Sequence, residues 1–162
     1  DTNIFQCVSQ SCTDNTSCGS SGTLLCSNMV CVPCTNDSFT ANGGNQIITS
    51  AADINGNLAP DEDLNTCSGD DFYTINVANG QTITAKATFD SSNGFIDVLL
   101  RSPNGNRFAG VSGSADNLST DTATAPVTTD TEAGAWTLQV FGVMPSSVVN
   151  NYRLEVTLTG GN

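Results

Sequence analysis

The chain reads as an all-β protein, a jelly-roll-like antiparallel β-sandwich of about seven or eight strands, with a disulfide-rich segment at its N-terminal end. Three observations carry this reading. From Asp70 onward apolar and polar residues alternate with a period of two; turn pairs such as Asn79-Gly80, Asn93-Gly94 and Asn104-Gly105 punctuate the alternation; and six of the seven cysteines fall within the first 34 residues. No stretch offers an amphipathic helix longer than about two turns.

Residues 1–34 contain Cys7, Cys12, Cys18, Cys26, Cys31 and Cys34, with few large apolar side chains among them (Ile4, Phe5, Val8, Leu24, Leu25, Met29, Val30, Val32). So little apolar surface cannot offset chain entropy, and order there must come from cross-links. Cysteine density of this kind implies a disulfide framework formed in an oxidising compartment. With Cys67 the count is seven, so one thiol is free or pairs with another chain.

Residues 35–162 form the main domain. Within it, 35–69 read as a lead-in that wraps the core, with a short strand candidate at Gln46–Ser50 and a turn-rich acidic stretch over Asp53–Asp63 that holds Gly56 and Pro60. Residues 70–158 read as the core strands. Phe72, Ile75 and Val77, with Phe72 or Tyr73 turned inward, mark an entry strand; Ile83, Ala85, Ala87 and Phe89 mark its hairpin partner; Phe95, Ile96, Val98 and Leu100 follow. Phe108–Val111, Ala123–Thr128, Ala135–Phe141 and Tyr152–Leu158 repeat the theme, the third carrying the one tryptophan, Trp136.

Four basic residues (Lys86, Arg101, Arg107, Arg153) face sixteen acids, a net charge of −12. Nucleic acid and anionic membrane both require clustered Lys and Arg, so neither is expected as a partner. There is no apolar run long enough to span a bilayer. The chain opens at Asp1 without Met or a leader, which fits a mature secreted product, extracellular or on the cell surface, whose signal peptide has been removed.

Several stretches in order resemble the bacterial pre-peptidase C-terminal domain. These are Asn36-Asp37-Ser38, Gly69-Asp70-Asp71-Phe72-Tyr73, Val77-x-x-Gly80-Gln81-Thr82, Phe95-Ile96-Asp97-Val98-x-Leu100 with Ser102-Pro103-Asn104-Gly105, Ala133-Gly134-Ala135-Trp136-x-x-x-Val140, and Asn151-Tyr152-x-Leu154-x-Val156. The match covers roughly residues 35–158. What this resemblance implies is a non-catalytic jelly-roll-like sandwich, usually appended to secreted peptidases to aid secretion, localisation or substrate binding, with calcium in the related collagen-binding domains. No peptidase accompanies it in this chain, which opens a stand-alone role. The cysteines of residues 1–34 look like the short cysteine-rich modules of secreted bacterial proteins.

The chain has no histidine, which removes Ser-His-Asp and Cys-His nucleophile activation and His-containing zinc sites. The single lysine, Lys86, sits between Ala85 and Ala87 on a strand and reads as a solvated outward charge rather than a Ser–Lys base or an isopeptide donor. Paired carboxylates for glycoside hydrolysis need two acids held in a cleft, whereas the many Asp lie mostly in turns. Cys26-x4-Cys31-x2-Cys34 with Cys67 copies an iron–sulfur spacing, but a cluster or an all-cysteine zinc site leaves Cys7, Cys12 and Cys18 unexplained. An enzyme is therefore not expected.

Asp61, Glu62, Asp63, Asp70 and Asp71 form the candidate metal site. Hard oxygen ligands at such density suit calcium in a structural role, although the run Asp53–Leu64 does not follow the EF-hand pattern. Sequons at Asn15, Asn36 and Asn117 are compatible with glycans or with chance. The functional expectation is a non-catalytic extracellular structural or adhesive protein that self-associates through sandwich contacts, as in a surface filament or matrix. The alternative is an accessory binding module for a matrix protein, a glycan or a partner peptidase.

Overall fold

In a computed structural model of the chain, the described residues are 11–13, 24–27, 29–33, 39, 45–54, 58–66, 69–110, 119–144 and 150–161, with backbone alone for 24–27, 32–33, 58–63 and 144. Strict alternation puts every second side chain of a strand on one face, and a sheet with one apolar face must bury it against another. The strands obey this. Along β6 (Gln81–Phe89), Ile83, Ala85, Ala87 and Phe89 are buried while Lys86 and Thr88 are exposed. Along β11 (Asn151–Gly160), Tyr152, Leu154 and Val156 are buried, and in β5 (Asp71–Val77) it is Tyr73, Ile75 and Val77. Tyr73, not Phe72, therefore faces the core.

Two sheets result. One has the order β3 (Ala52–Asp53), β5, β10 (Gly134–Met144), β7 (Phe95–Arg101) and β8 (Phe108–Ala109); the other has β4 (Leu58–Asn65), β11, β6 and β9 (Thr120–Pro126). Pairing is antiparallel except between β3 and β5. Trp136 on the central strand β10 is fully buried, and its indole N–H donates to Glu132 O at 2.8 Å. A separate hairpin, β1 (Leu24–Ser27) and β2 (Val30–Pro33), turns through Met29 at φ 62°, with Cys26 and Cys31 in register.

The sandwich closes along one side. β8 is only two residues long and pairs with Leu100 and Arg101; farther back along β7, Val98 N–H donates to the Asp121 carboxylate of β9 at 2.7 Å. Gly110 makes the close approach there: at φ +110° its missing Cβ would lie 2.2 Å from Val98 O and 3.2 Å from the Ala123 Cβ. Arg107 ties the same corner, bonding Pro126 O at 2.6 Å and the Glu132 carboxylate at 3.1 Å.

A polar clasp crosses the core. Tyr152 of β11 donates to the Asp71 carboxylate of β5 at 2.6 Å, and its oxygen lies 2.6 Å from that of Tyr73. A hydroxyl carries one proton, so Tyr73 is the donor to Tyr152. Burial first, and then the electrostatic influence of the neighbouring Tyr73 and Asp71, holds the Tyr152 hydroxyl well above its usual pKa of 10.0. At the sandwich end, buried Asn150 donates from Nδ2 to Asp90 O at 2.8 Å and to Gly94 O at 3.0 Å, while its backbone pairs with Thr66.

Two local expectations differ from the structure. Gln46–Ser50 is not a strand: Ile48–Ser50 is a 3-10 turn in which Ser50 N–H and Oγ both bond Ile47 O, at 2.9 and 3.2 Å. The acidic stretch is not all turn either, since Leu58–Asn65 runs as β4 along β11, with two register shifts.

Candidate functional site

The outward faces of β5, β10 and β7 are brought together by register. Gln139 lies opposite both Phe72 and Leu99, and Thr137 opposite both Thr74 and Arg101, which in turn faces Phe108 on β8. These residues sit one position out of phase with the core alternation, so they point away from Tyr73, Leu138 and Leu100. With Ile48 from the 3-10 turn, all of them but Thr74 line a groove of about 230 Å³. Ile48 and Phe108 are exposed at 47% and 56%, values that leave apolar surface open to solvent beside the groove.

The polar groups of the groove are few and placed. Arg101 holds its guanidinium carbon 5.5 Å above the Phe108 ring, within cation–π range. Gly105 leaves room for it, since a Cβ there would lie 2.9 Å from an Arg101 terminal nitrogen. Gln139 donates from Nε2 to the Asp70 carboxylate at 2.6 Å, which fixes its amide and turns the oxygen to the other side.

The candidate metal ligands are distributed over three settings. Asp61, Glu62 and Asp63 lie in β4 with their side chains outside the described residues. Asp70 is engaged by Gln139, and Asp71 is buried in the tyrosine clasp. Among the described residues no group of three or more His, Cys, Asp or Glu side chains could hold a metal ion. Cys12 and Cys31 are disulfide-bonded; Cys7, Cys18, Cys34 and Cys67 lie outside the described residues, as does the side chain of Cys26. Asn15, Asn36 and Asn117 also lie outside them. Lys86 is exposed, opposite Glu155 on β11. Among the described residues no helix is long and apolar enough to cross a membrane.

The groove itself was not legible as a site in the sequence. Its residues come from four strands and a turn, and only the pairing register joins them. One signal was present: Phe108 follows two turn residues and Arg107 in a run too short to bury a face.

No protein-family model matches the chain, and no curated protein sequence matches it. Among solved structures it is similar to the pre-peptidase C-terminal domain of collagenase from Bacillus anthracis, at 19% identity and a TM-score of 0.46, covering 66% of this chain and 94% of that one. It is also similar to PliG of Aeromonas hydrophila, a periplasmic lysozyme inhibitor of g-type lysozyme, at 15% identity and a TM-score of 0.41, covering 67% and 97%.

Proposed function

We propose that the chain is a non-catalytic, secreted accessory binding module that meets a protein partner through the outer-face groove of its five-stranded sheet. The observation that carries this is the groove: an apolar floor from Phe72 and Leu99, an exposed aromatic at Phe108, and oriented polar groups at Arg101 and Gln139. Its volume of about 230 Å³ falls below the ~300–1,000 Å³ of small-molecule sites and suits one or two anchoring side chains. The absence of histidine and the oxidising composition agree with a binding role outside the cell.

The sheet edges favour this reading over lateral assembly into a filament. Edge strands invite pairing with another copy unless they are short, charged, proline-bearing or covered. Here β3 and β8 are two residues long; β9 faces the β7–β8 corner and ends at Pro126; and β4 carries Pro60, the acid run Asp61-Glu62-Asp63 and two register shifts against β11. A second copy approaching β4 would bring like charges together.

The test is selection from a random peptide library on immobilised wild-type chain and, in parallel, on Phe108→Ser. Groove binding predicts sequences that enrich on wild type and are lost on the variant. Enrichment that survives Phe108→Ser, or none at all, would reject it.

A further inference from the structure

Resting on that reading of the groove, we propose the chemistry of what enters it: an extended protein segment in which an aromatic or long aliphatic side chain is followed two residues later by a single carboxylate.

Arg101 points to the carboxylate. Acids outnumber bases sixteen to four, so a cation here has an ample choice of partners. Arg107 takes one, Glu132, at 3.1 Å. Arg101 makes no ion pair among the described residues; its guanidinium is stationed over Phe108, beside the space that Gly105 leaves. A guanidinium held over an aromatic face by a cation–π contact gives up none of its N–H groups to that contact, which leaves them for a bidentate carboxylate.

Phe72, Leu99 and Ile48 point to the apolar neighbour. With Phe108 they form the groove's apolar lining, and Leu99 lies two residues before Arg101 on the same strand and the same face. Two residues of an extended segment span ~7 Å and return the side chain to the same face, so an anchor seated over Leu99 puts a carboxylate two residues further on within reach of Arg101. Gln139 adds an acceptor: with its Nε2 given to Asp70, its oxygen is left for a backbone N–H of the segment. Thr137, between Gln139 and Arg101 on the sheet, adds a hydroxyl.

The rest of the surface limits the segment to one acid. Beyond a screening length of about 8–10 Å the field of Arg101 fades, and further carboxylates would meet a protein of net charge −12.

The probe is a set of three blocked peptides, Ac-Gly-Phe-Gly-Asp-Gly-NH2 and its Asn-for-Asp and Ser-for-Phe versions, titrated at millimolar concentrations into the ¹⁵N-labelled full chain while amide shifts are followed by NMR. The expected result is shifts confined to Leu99, Arg101, Phe108, Thr137 and their neighbours, with the Asn version about five- to tenfold weaker and the Ser version weaker still. Arg101→Gln should abolish the Asp-over-Asn preference and leave the spectrum otherwise native. Equal binding of the Asp and Asn versions at the groove would overturn the carboxylate inference and leave the groove standing as a binding surface. Shifts elsewhere, or none with any peptide, would overturn both.

Discussion

The hydroxyl of Tyr152 lies 2.6 Å from the Asp71 carboxylate, and the two residues belong to opposite sheets of the sandwich. Both are buried, Asp71 at 1% exposure and Tyr152 at 2%, so neither can replace the other with water. Removing the Tyr152 hydroxyl takes a donor from the Asp71 carboxylate and an acceptor from the Tyr73 hydroxyl inside the core. Tyr152→Phe should therefore cost about 1–3 kcal/mol, more than an ordinary exposed hydrogen bond, measured by urea unfolding. A loss within the scatter of surface substitutions would mean the clasp is not formed.

The same group sets a pH dependence. Its folded pKa is raised above 10.0, first by burial, so the native state holds the Tyr152 proton more tightly than the unfolded chain. The stabilisation is complete below about pH 10 and declines as pH rises above it, by at most ~1.4 kcal/mol per pH unit. Urea titrations of wild type and Tyr152→Phe between neutral pH and pH 11 should differ in slope only in the alkaline range. Parallel curves would contradict the assignment.

Asn150 is the second buried polar anchor. Its Nδ2 bonds two carbonyls that end the β6–β7 connection, Asp90 O and Gly94 O. Asn150→Ala should lose roughly 1–3 kcal/mol, and Asn150→Asp more, because it sets a carboxylate against two carbonyl oxygens. Equal losses would show that packing, not donation, is what matters there.

Gly110 and Gly80 separate a steric demand from a backbone one. Both have positive φ, +110° and +83°, but a Cβ at Gly80 meets nothing within 4 Å while one at Gly110 meets Val98 O at 2.2 Å. Gly80→Ala should cost ~1–2 kcal/mol of strain. Gly110→Ala should cost several times that and open the β7–β9 side, seen as faster amide exchange at Val98 and Ala123.

Blunted edges carry a prediction about assembly. Sedimentation velocity of the full chain should give one boundary for a protein of 16.7 kDa whose size does not grow with concentration. A ladder of polymers lengthening with concentration would restore the filament reading.

The strands that bury one face were readable, because burial imposes a period of two. This is why β5, β6, β7, β10 and β11 fall where the alternation of Ile75–Val77, Ile83–Phe89, Ile96–Leu100, Trp136–Val140 and Tyr152–Val156 puts them. β4 was hidden, since Pro60 and three consecutive acids read as turn, and only its place at an edge beside β11 makes them tolerable. Gln46–Ser50 misled in the opposite sense. Ile47 and Ile48 are β-branched, yet they are 60% and 47% exposed, so no buried face holds them extended and the Ser50 bonds to Ile47 O decide the turn. The groove was hidden for a different reason: Gln139 joins Phe72 and Leu99 only through strand register, which pattern along the chain does not contain.

The claim that the five-stranded face does the binding is tested most directly by fluorescence anisotropy of one library-selected peptide against two variants. Phe108→Ser alters the groove, whereas Thr124→Arg alters an exposed residue on the outer face of the opposite sheet. Groove binding predicts at least a tenfold loss of affinity, about 1.4 kcal/mol, for Phe108→Ser and less than about twofold change for Thr124→Arg. The reverse order, or equal losses, would contradict it.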